Sequence, residues 1–454
     1  MVRAIERRIR VLKSDPPRQD GDCVLYWMQH SQRAFANPAF ERAAYWANEC
    51  ALPLRVLFVV DPDYPDASER HFYFMLEGLK ETMAETAKRG AHFSLRIGKP
   101  AETVARLARS AAVLVTDRAY LRHLVEWRKE VAETVDILVE EVEGDVIVPV
   151  DEPTDKMESA ARTIRPRLHK ALKNFLDLPG EVTLKVNAKG LGHEDDQSLD
   201  DIGAFIDRIG CDTSVGRVTF FRGGTSEARS RLTHFLRQDL PHYGDDRADI
   251  VDRHVSHLSP YLHFGQISPL EIYHKVMDSK AKGESQDSFV EEMLVRRELG
   301  VNFVHHNRRY DSFDALPDWA KKTLAEHAGD TRAPSYTAKQ LEDGKTEDPY
   351  WNAAMREMRV TGYLHNHLRM YWGKRILGWM RSPKTAYETT LALNNKYFLD
   401  GRDANSYANV AWIFGMHDRG WPEREVYGKV RTMTPSGLKR KFDIDAYVRW
   451  AEAL

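Results

Sequence analysis

The chain has 454 residues, with 66 basic and 68 acidic side chains and a formal net charge of -2. This balance excludes nucleic-acid binding through bulk charge, so any such affinity would need a local basic surface. The length predicts two domains, and the three cysteines have no CxxC spacing, which argues against a zinc site or a disulfide framework; no metal is expected.

The start of the chain, MVRAIERRIRVLKSD, is basic but lacks the apolar core of a signal peptide. No apolar run approaches the length of a membrane span. We therefore expect a soluble, cytoplasmic protein that does not contact a membrane.

Short apolar runs alternate with amphipathic stretches through residues 20–150, from CVLYWM and PLRVLFVVD to HFSLRIG and AVLVTD. This rhythm predicts a parallel sheet covered by helices, a Rossmann-like α/β domain. No GxGxxG motif follows CVLYWM, and a polar loop leads instead to a helix that starts near Pro38. A dehydrogenase with a nucleotide fingerprint is therefore disfavoured, although the loop could hold a ligand at the strand ends.

Residues 151–214 include the Gly- and Asp-rich run KVNAKGLGHEDDQSLDD, which predicts a surface linker between domains. Helical periodicity dominates residues 215–454 and predicts an all-α second domain. Gly362 and Gly373 interrupt this periodicity, so Trp351 could sit on a different helix from the tryptophans that follow.

Trp372 and Trp379 are seven residues apart, so on one helix their rings would lie on the same face about 10 Å apart. That spacing suits electron hopping between indoles. Such a pair is more often simply part of a core.

Two segments could hold an anion. The run from Ser256 to Pro260 precedes a predicted amphipathic helix, YLHFGQIS, and offers hydroxyls and free backbone N–H groups, although helix capping would explain a serine there equally well. Arg296 and Arg297 are adjacent on a predicted helix and point in different directions. One could therefore turn inward to an anion while the other is paired outside.

Arg369 lies among large apolar residues, and a buried arginine needs a carboxylate, for which Asp400 is the expected partner. Beside a redox ring this guanidinium would stabilise negative charge. Asn394 could supply an amide to a ring nitrogen or simply end a helix. One of Glu291 and Glu292 should turn inward, where burial would raise the pKa of the carboxyl and let it donate a hydrogen bond.

Basic residues are interleaved with aromatic ones towards the C-terminal end. This pattern suits a track for the DNA backbone with stacking platforms, although a solvated charged face is the alternative. The residues concerned are Trp412, His417, Arg419, Trp421, Lys429, Arg431, Lys439, Arg440 and Lys441.

Several long segments resemble the class II cyclobutane pyrimidine dimer photolyases of the photolyase and cryptochrome superfamily: SHLSPYLHFGQISPLEIY, EEMLVRRELGVNFV, DPYWNAAMREM, LRMYWGKRILGW, YFLDGRDANSYANVAWIFGMHDR and GLKRKFDIDAYV. YWMQ and SAARTIRPRLHKAL extend the resemblance to both domains. It implies an N-terminal antenna domain and a C-terminal domain that binds FAD, active in its reduced anionic form. Whether a second antenna chromophore is present, and whether it is a deazaflavin, a folate or a flavin, stays open.

For the cofactor, the resemblance implies that Arg369 and Asp400 form a salt bridge beside the isoalloxazine ring and that Asn394 meets its N5. The other residues implied to contact FAD are Tyr243, Ser256, His257, Leu258, Ser259, Arg296, Arg297, Asp403 and Asn405.

The implied substrate is double-stranded DNA that carries pyrimidine dimers, and the implied catalytic residue on the lesion side is Glu292, which would stabilise the dimer radical anion. A relay would run from the flavin to Trp372, then Trp351, then Trp379 at the surface. The residues implied to contact the lesion, the gap in the duplex or the DNA backbone are Arg247, Met370, Trp412, Arg419, Trp421, Lys439 and Arg440.

The chain departs from the family pattern at two places. It reads Arg247-Ala248-Asp249 where the family usually has Arg-Asn-Asp, which removes an amide near the flavin and the lesion. It reads His30-Ser31-Gln32-Arg33 where the family usually has Arg-Asp-Gln-Arg, which changes the N-terminal packing or the antenna site.

We therefore expect a monomeric carbon-carbon lyase that repairs pyrimidine dimers in light. A cryptochrome-like flavin photoreceptor without repair activity is the alternative. A non-catalytic nucleic-acid-binding protein is a third hypothesis.

Overall fold

A computed structural model describes residues 3–251 and 253–454. Within these residues the N-terminal part contains one sheet, whose strands are β1 (Ile9–Lys13), β2 (Cys23–Trp27), β3 (Leu54–Val60), β4 (His92–Ile97), β5 (Ala111–Asp117) and β6 (Leu138–Val142). The accompanying helices are α1 (Arg3–Glu6), α2 (Pro38–Glu49), α3 (Glu69–Lys88), α4 (Pro100–Ala108) and α5 (Arg122–Thr134).

The strand order across the sheet is β1, β6, β5, β2, β3, β4, and neighbouring strands are parallel except that β1 runs antiparallel to β6. The predicted α/β fold with a parallel sheet is thus confirmed. The sheet begins before residue 20, where the sequence predicted the domain to start. β1 is a short edge strand without a fully buried residue, so its sequence carries little of the apolar signal that marks the central strands.

The central strands β2, β3 and β5 are buried along their whole length, because helices cover both faces of the sheet. Val24 and Val56 pack on the face towards α2 and α3, and Leu25 and Leu57 pack on the face towards α4 and α5. Successive residues of one strand therefore serve opposite layers of the core.

The connecting segment carries α6 (Ala161–Leu172) and α7 (Ile202–Ile209), and only helices follow as regular structure in the described residues after it, which confirms the predicted all-α body. These helices are α8 (Thr225–His234), α9 (Tyr243–Asp246), α10 (Ser259–His263), α11 (Pro269–Met277), α12 (Glu284–Val290), α13 (Arg297–His306), α14 (Asp318–Glu326), α15 (Ala338–Glu342), α16 (Pro349–Thr361), α17 (Asn366–Trp379), α18 (Pro383–Tyr397), α19 (Ala404–Ile413), α20 (Pro435–Lys441) and α21 (Ile444–Glu452). Phe235–Asp239 and Glu291–Arg296 form π-helical turns, and Leu240–His242 and Phe313–Ala315 form 3-10 turns.

The two glycines that interrupt the helical pattern have different roles. Gly362 ends α16 in the left-handed conformation, with φ 71°, so Trp351 does lie on a different helix from the later tryptophans. Gly373 lies inside α17 and does not break it. A Cβ at Gly373 would lie 2.3 Å from Cδ1 of Ile413, so this glycine allows α17 to pack closely on α19.

The N-terminal α/β part contacts the helical body through buried polar side chains. Arg70 on α3 donates to the carbonyl oxygens of Tyr397 at 2.8 Å and Arg359 at 2.7 Å. Arg33 donates to the carbonyl oxygen of Gly265 at 2.9 Å, and a Cβ at Gly265 would lie 2.1 Å from the carbonyl oxygen of His30. The close approach and the positive φ of 62° explain why glycine stands there.

Among the described residues, no helix combines the length and the apolar character that crossing a membrane requires.

Candidate active site

A cavity of about 500 Å³ lies where α10, α13, α17 and α19 meet, a volume typical of small-molecule sites. Five arginines and three carboxylates are among its lining residues, so its charge favours an anionic ligand. The predicted site residues that line it are Tyr243, Arg247, Ser256, His257, Leu258, Ser259, Glu292, Arg296, Arg297, Arg369, Met370, Asp400, Asp403, Asn405 and Trp412.

The two adjacent arginines diverge. Arg296 pairs with Glu291 at 3.2 Å, and its guanidinium lies 5.5 Å from the ring centroid of Trp412. Arg297 lines the cavity, and its Nη1 is buried without a hydrogen-bond partner in the described residues. A buried guanidinium nitrogen without a partner indicates that an acceptor is missing from this place.

The segment before α10 presents polar groups to the cavity. Ser256 Oγ accepts only a long hydrogen bond, 3.4 Å, from the backbone N–H of Leu258, and His257 adopts a positive φ of 52°. Burial, and then the charges of Arg231 and Arg253, lower the pKa of His257 to about 3. The amphipathic helix predicted over YLHFGQIS is wrong in length, because α10 ends at His263, just before the sharp turn at Gly265.

Asp403 lies at the start of α19 and caps it, accepting from the backbone N–H of Asn405 at 3.0 Å. Burial alone would raise the pKa of Asp403, but the nearby His263, whose Nδ1 lies 3.6 Å from Oδ1 of Asp403, and the charge of Arg297 outweigh it and hold the pKa below its usual range. Gly300 on α13 lets α19 approach, because a Cβ there would lie 2.8 Å from Oδ1 of Asn405.

Arg369 and Asp400 form an ion pair in the cavity wall. Nη2 of Arg369 lies 3.0 Å and 3.2 Å from the two carboxylate oxygens of Asp400. The guanidinium also lies 3.9 Å from the ring centroid of Phe398, so an aromatic face holds it in place. Arg369 is 7% exposed, which means that the charge of this pair is presented to the cavity rather than to bulk water.

Glu292 faces the cavity mouth, where it pairs with Arg247 at 2.6 Å. Its side chain is 38% exposed and that of Glu291 is 24% exposed, so neither is the buried carboxyl that the sequence predicted for one of the two. The reason is that Glu292 stands at an open rim. Burial, followed by the charge of Glu292, raises the pKa of the neighbouring Tyr243, which packs edge-on against Phe289 at 5.4 Å.

His365 holds the loop that carries Arg247 in place through a hydrogen bond to its backbone. Nε2 of this buried histidine lies 3.0 Å from the carbonyl oxygen of Arg247, while Nδ1 accepts from the backbone N–H of His367 at 3.2 Å. Both nitrogens are therefore used by the neutral ring. Burial, and then the charge of Arg253, lower the pKa of His365 to about 4, against the effect of the hydrogen bond to Arg247.

The three tryptophans of the predicted relay lie behind the cavity in one cluster. Trp351 contacts both others, with ring centroids 6.4 Å from Trp372 and 5.5 Å from Trp379. The prediction that Trp379 lies at the surface is wrong: it is 3% exposed, because Tyr336 packs edge-on against it at 5.1 Å and Arg375 lies over its ring at 4.4 Å.

Asn394 is buried on α18 and does not belong to the cavity lining in the described structure. Its Nδ2 donates to Ser406 Oγ at 2.6 Å and to Asn395 Oδ1 at 3.1 Å. Ser406 does line the cavity. Both hydrogens of the amide nitrogen are thereby used, so a contact between this nitrogen and a ring in the cavity would require it to exchange one of its present bonds.

Arg419 and Trp421 lie in the loop after α19, outside the cavity. The guanidinium groups of Arg419 and Arg431 lie 5.3 Å and 5.0 Å from the Trp421 ring, and Trp421 Nε1 donates to Asp418 at 3.2 Å. The indole is thereby held in one orientation. Lys439 and Arg440 are exposed on the short helix α20.

A second, smaller cavity of about 80 Å³ lies at the carboxyl ends of β2 and β3, beside the point where the strand order reverses. Arg402 reaches it from the helical body, and its Nε and Nη2 are buried without partners in the described residues. Tyr64, Trp127 and His263 complete the wall on this side.

The loop His30–Arg33, where the sequence differs from the usual family pattern, lies at this second cavity and contacts Asp145. Arg33 pairs with Asp145 at 2.6 Å, His30 lies 3.1 Å from it, and Ser31 Oγ donates to it at 2.5 Å. The changed residues therefore keep a buried network in place of the family's usual side chains.

Sequence reasoning missed several residues that line the main cavity. Tyr363 is a wall residue whose ring packs against His257 at 4.7 Å, and Asn366 and His367 lie at the start of α17. These three lie just before the quoted segment LRMYWGKRILGW, but single polar residues at a helix start carry no signal of their own in one sequence.

Comparison with known proteins agrees with this geometry. The DNA photolyase family model matches residues 24–185. The deoxyribodipyrimidine photo-lyase of Methanothermobacter thermautotrophicus is 44% identical over 443 residues, which cover 97% of this chain and 97% of that protein. The deoxyribodipyrimidine photo-lyase of Potorous tridactylus is 38% identical over 452 residues, which cover 98% of this chain and 84% of that protein.

Solved structures share the fold. An archaeal photolyase from Sulfolobus tokodaii with two FAD molecules has a TM-score of 0.71 at 17% identity, over 93% of this chain and 88% of that one. The Synechocystis cryptochrome has a TM-score of 0.73 at 15% identity, over 94% and 88%. At the identity and coverage of the sequence relatives, the chain belongs to the DNA photolyase family of deoxyribodipyrimidine photo-lyases, enzymes of light-driven DNA repair.

Proposed function

We propose that this protein repairs cyclobutane pyrimidine dimers in double-stranded DNA by transfer of an electron from reduced FAD held in the main cavity. The observation that carries the proposal is the order of charged groups in one cavity: the unpartnered Arg297 and the Arg369–Asp400 pair in its wall, and the Glu292–Arg247 pair at its rim. Arg297 and the Arg369–Asp400 pair suit an anionic cofactor inside the cavity. The Glu292–Arg247 pair suits a nucleobase at the cavity mouth.

The residues present fit FAD. The pyrophosphate of FAD needs cationic donors and hydroxyls, which Arg297, Ser256 and Ser259 offer at the cavity wall. His257 has a buried Nδ1 without a partner in the described residues and would meet a polar atom of the same ligand. Tyr243, Leu258, Asp403 and Asn405 are proposed to complete the cofactor contacts, with Arg296 on the outer side.

The Arg369–Asp400 pair is proposed to stand beside the flavin ring. The guanidinium cannot lose its proton, so it would favour negative charge on a ring next to it. Asn394 is proposed to act from behind the wall through Ser406, or to contact the ring after its amide reorients. When bound and reduced, FAD would supply one electron to the dimer on absorbing light and take it back after the cyclobutane ring opens.

Glu292, Arg247, Met370 and Trp412 are proposed to receive the flipped dimer. Photolyases take their target out of the base stack, at a cost of a few kcal/mol that is lowest for a damaged base. Trp412 and Met370 would supply apolar contact, while the carboxylate of Glu292 would accept a hydrogen bond from an N–H of the base. Because Glu292 is paired with Arg247, the incoming dimer would have to compete for this carboxylate.

Trp372, Trp351 and Trp379 are proposed to form a path for electrons that leads from the cavity region to Trp379, which lies beneath the ring of Tyr336. The central position of Trp351, with its ring near both others, supports the order Trp372, Trp351, Trp379 rather than direct transfer between the two residues of α17. The tight packing of these rings supports a fixed geometry.

Outside the cavity, Arg419 and Trp421 are proposed to enter the gap that the dimer leaves, with Lys439 and Arg440 on the DNA backbone. The orientation of Trp421 between two guanidinium groups supports a preformed wedge. We also propose that the protein acts as a monomer.

We propose that the smaller cavity at the sheet edge admits a second, light-harvesting chromophore, a deazaflavin or another ring. Nε and Nη2 of Arg402, which have no partner among the described residues, support a ligand with an acceptor on its edge. A volume of about 80 Å³ is too small for such a ring, so wall side chains would move as it enters.

The test is to record the absorbance spectrum of the purified protein, reduce it, and illuminate it with duplexes that carry one thymine cyclobutane dimer or one (6-4) photoproduct. Flavin bands together with light-dependent loss of the cyclobutane dimer alone are expected. Flavin bands without loss of either lesion would favour a photoreceptor, and loss of the (6-4) product would assign a different substrate.

A further inference from the structure

Helix α6 carries a one-sided positive charge near the cavity. From residue 161 to its C-cap at residue 173 it contains five Lys or Arg residues, one histidine and no carboxylate, in a chain whose overall charge is balanced. The buried side of the helix is apolar and consists of Ala161, Ile164, Leu168 and Leu172. The charges therefore project from the opposite side.

The outward residues of α6 align. Arg162, His169 and Lys173 fall within one narrow stripe of the helix at spacings of seven and four residues, and Lys170 lies beside them. All four are exposed. In the described residues no carboxylate oxygen lies within ion-pair distance of Arg162, Lys170 or Lys173, whereas the flanking Arg165 and Arg167 are paired with Glu291 and Glu158.

The position of α6 relates it to the cavity rim. Arg165 pairs with Glu291 at 2.7 Å, and Glu291 pairs in turn with the rim residue Arg296. Just before α6, the carbonyl oxygen of Ser159 lies 3.1 Å from Nδ1 of His417, which lines the cavity. The basic stripe is therefore a continuation of the rim rather than a remote patch.

The basic helix α20 stands beside a different part of the same rim. Phe442, which follows α20, packs edge-on against His367 at 4.9 Å, and His367 lines the cavity. The cavity mouth thus has the stripe of α6 next to its Arg296 and His417 side and the cluster Lys439–Lys441 next to its His367 side. A duplex laid across the mouth would meet cations on both flanks of the flipped base.

We propose that the outer stripe of α6, formed by Arg162, His169, Lys170 and Lys173, binds the phosphodiester backbone of the duplex on one flank of the lesion. This inference rests on the proposed function, because it takes the main cavity as the place where the dimer is received. The stripe runs about 16 Å along the helix, which matches about five base pairs of rise. Since it contacts phosphates and no base edges, it adds affinity without sequence or lesion specificity.

The test compares the double variant R162Q/K173Q of the full chain with wild type and with a matched control, R106Q/K129Q. The control removes the same charge from exposed positions on α4 and α5, which do not line the main cavity. Dissociation constants are measured for a duplex with one central dimer and for the same undamaged duplex over a series of potassium chloride concentrations. Thermal melting checks that each variant folds.

We expect R162Q/K173Q to bind both duplexes severalfold more weakly, by the same factor for each. The slope of log affinity against log salt should become shallower by about 2, close to one unit for each lost phosphate contact. Repair per flash at saturating DNA should stay at the wild-type value, and the control should bind as wild type does.

Two results would overturn the inference in different ways. If wild type binds and repairs the damaged duplex but R162Q/K173Q keeps its affinity and salt slope, the stripe is only a solvated face and the proposed function stands. If wild type neither binds nor repairs the damaged duplex, the proposed function fails and this inference fails with it.

Discussion

The indole of Trp351 donates its N–H to the carbonyl oxygen of Trp372 at 2.9 Å, and the two rings are nearly parallel, at 8° and 6.4 Å between centroids. Both residues are fully buried. A hydrogen bond and a stacked contact between the same two residues fix the distance between two redox-active rings on different helices. This relationship makes Trp351 the link between α16 and the two tryptophans of α17.

Replacing Trp351 by Phe should slow photoreduction of the bound flavin by at least an order of magnitude, because phenylalanine is far harder to oxidise than tryptophan. Repair by chemically reduced protein should be retained. The lost hydrogen bond and ring volume should cost about 1–3 kcal/mol of folding stability, which thermal melting will reveal. W46F, at a half-buried tryptophan of α2, is the control; equal photoreduction in W351F and W46F would remove Trp351 from the path.

Replacing Glu292 by Gln should lower repair per absorbed photon while flavin content stays normal. The neutral amide loses the ion pair with Arg247 and accepts a hydrogen bond from an N–H of the base less strongly than a carboxylate does, so a loss of roughly tenfold, about 1.4 kcal/mol, is expected. The measurement is dimer loss by chromatography under single flashes. E291Q is the matched control, since Glu291 is the neighbouring carboxylate that pairs with Arg165 and Arg296. Equal repair by E292Q and wild type would show that Glu292 has no role at the lesion.

Replacing Arg297 by Met should weaken FAD retention, because its Nη1 is the guanidinium nitrogen left without a partner at the cavity wall. Loss of a charge-assisted hydrogen bond predicts about 1.5–3 kcal/mol of binding free energy. Equilibrium dialysis of the protein against FAD measures this loss. R296M should retain FAD better, since Arg296 is already paired with Glu291; a larger loss in R296M would reverse the assignment of the two arginines.

Ala248 stands where the resemblance leads us to expect asparagine, in the cavity wall beside Arg247. A248N should increase repair per photon, because the added amide can hydrogen-bond to a ligand or to the Glu292 carboxylate. A248S serves as a control of smaller hydrogen-bonding capacity. An A248N protein with unchanged repair and intact flavin would show that the missing amide does not limit this enzyme.

His365 gives a pH prediction with a definite sign. Its pKa falls from 6.5 in the unfolded chain to about 4 in the fold, so between these values the unfolded state binds more protons. The stabilising contribution of the neutral ring is full above pH 6.5 and is lost as pH falls towards 4. It amounts to at most about 3 kcal/mol.

The measurement is the free energy of unfolding of wild type and H365Q across this pH range. The difference should be greatest above pH 6.5 and shrink towards pH 4, since the variant lacks the titrating ring. The loop carrying Arg247 should loosen in parallel, which dimer affinity would reveal. A difference that does not change with pH would mean that His365 acts by packing alone.

The layered fold could be predicted because its signals are local and periodic. The buried runs of β2, β3 and β5 and the start of α2 at Pro38 are visible in sequence. The edge strand β1 was missed, since an exposed five-residue strand has almost no burial pattern. Gly373 was misread because a glycine that admits a neighbouring helix looks the same in sequence as one that ends a helix.

The site was less predictable, because its geometry depends on which neighbours meet. The sequence expected one of Arg296 and Arg297 to turn inward but could not say which. It also could not reveal that Tyr336, fifteen residues before Trp351, covers Trp379 and buries it. Such contacts join segments that no periodicity relates.

The measurement that tests the central claim most directly is illumination of the reduced protein, under exclusion of oxygen, with a duplex that carries one thymine cyclobutane dimer. Restored thymine is then counted against a sample kept in darkness. The account predicts light-dependent return of intact thymine with no change in the dark. Flavin-loaded, reduced protein that binds the duplex but restores no thymine in light would contradict it.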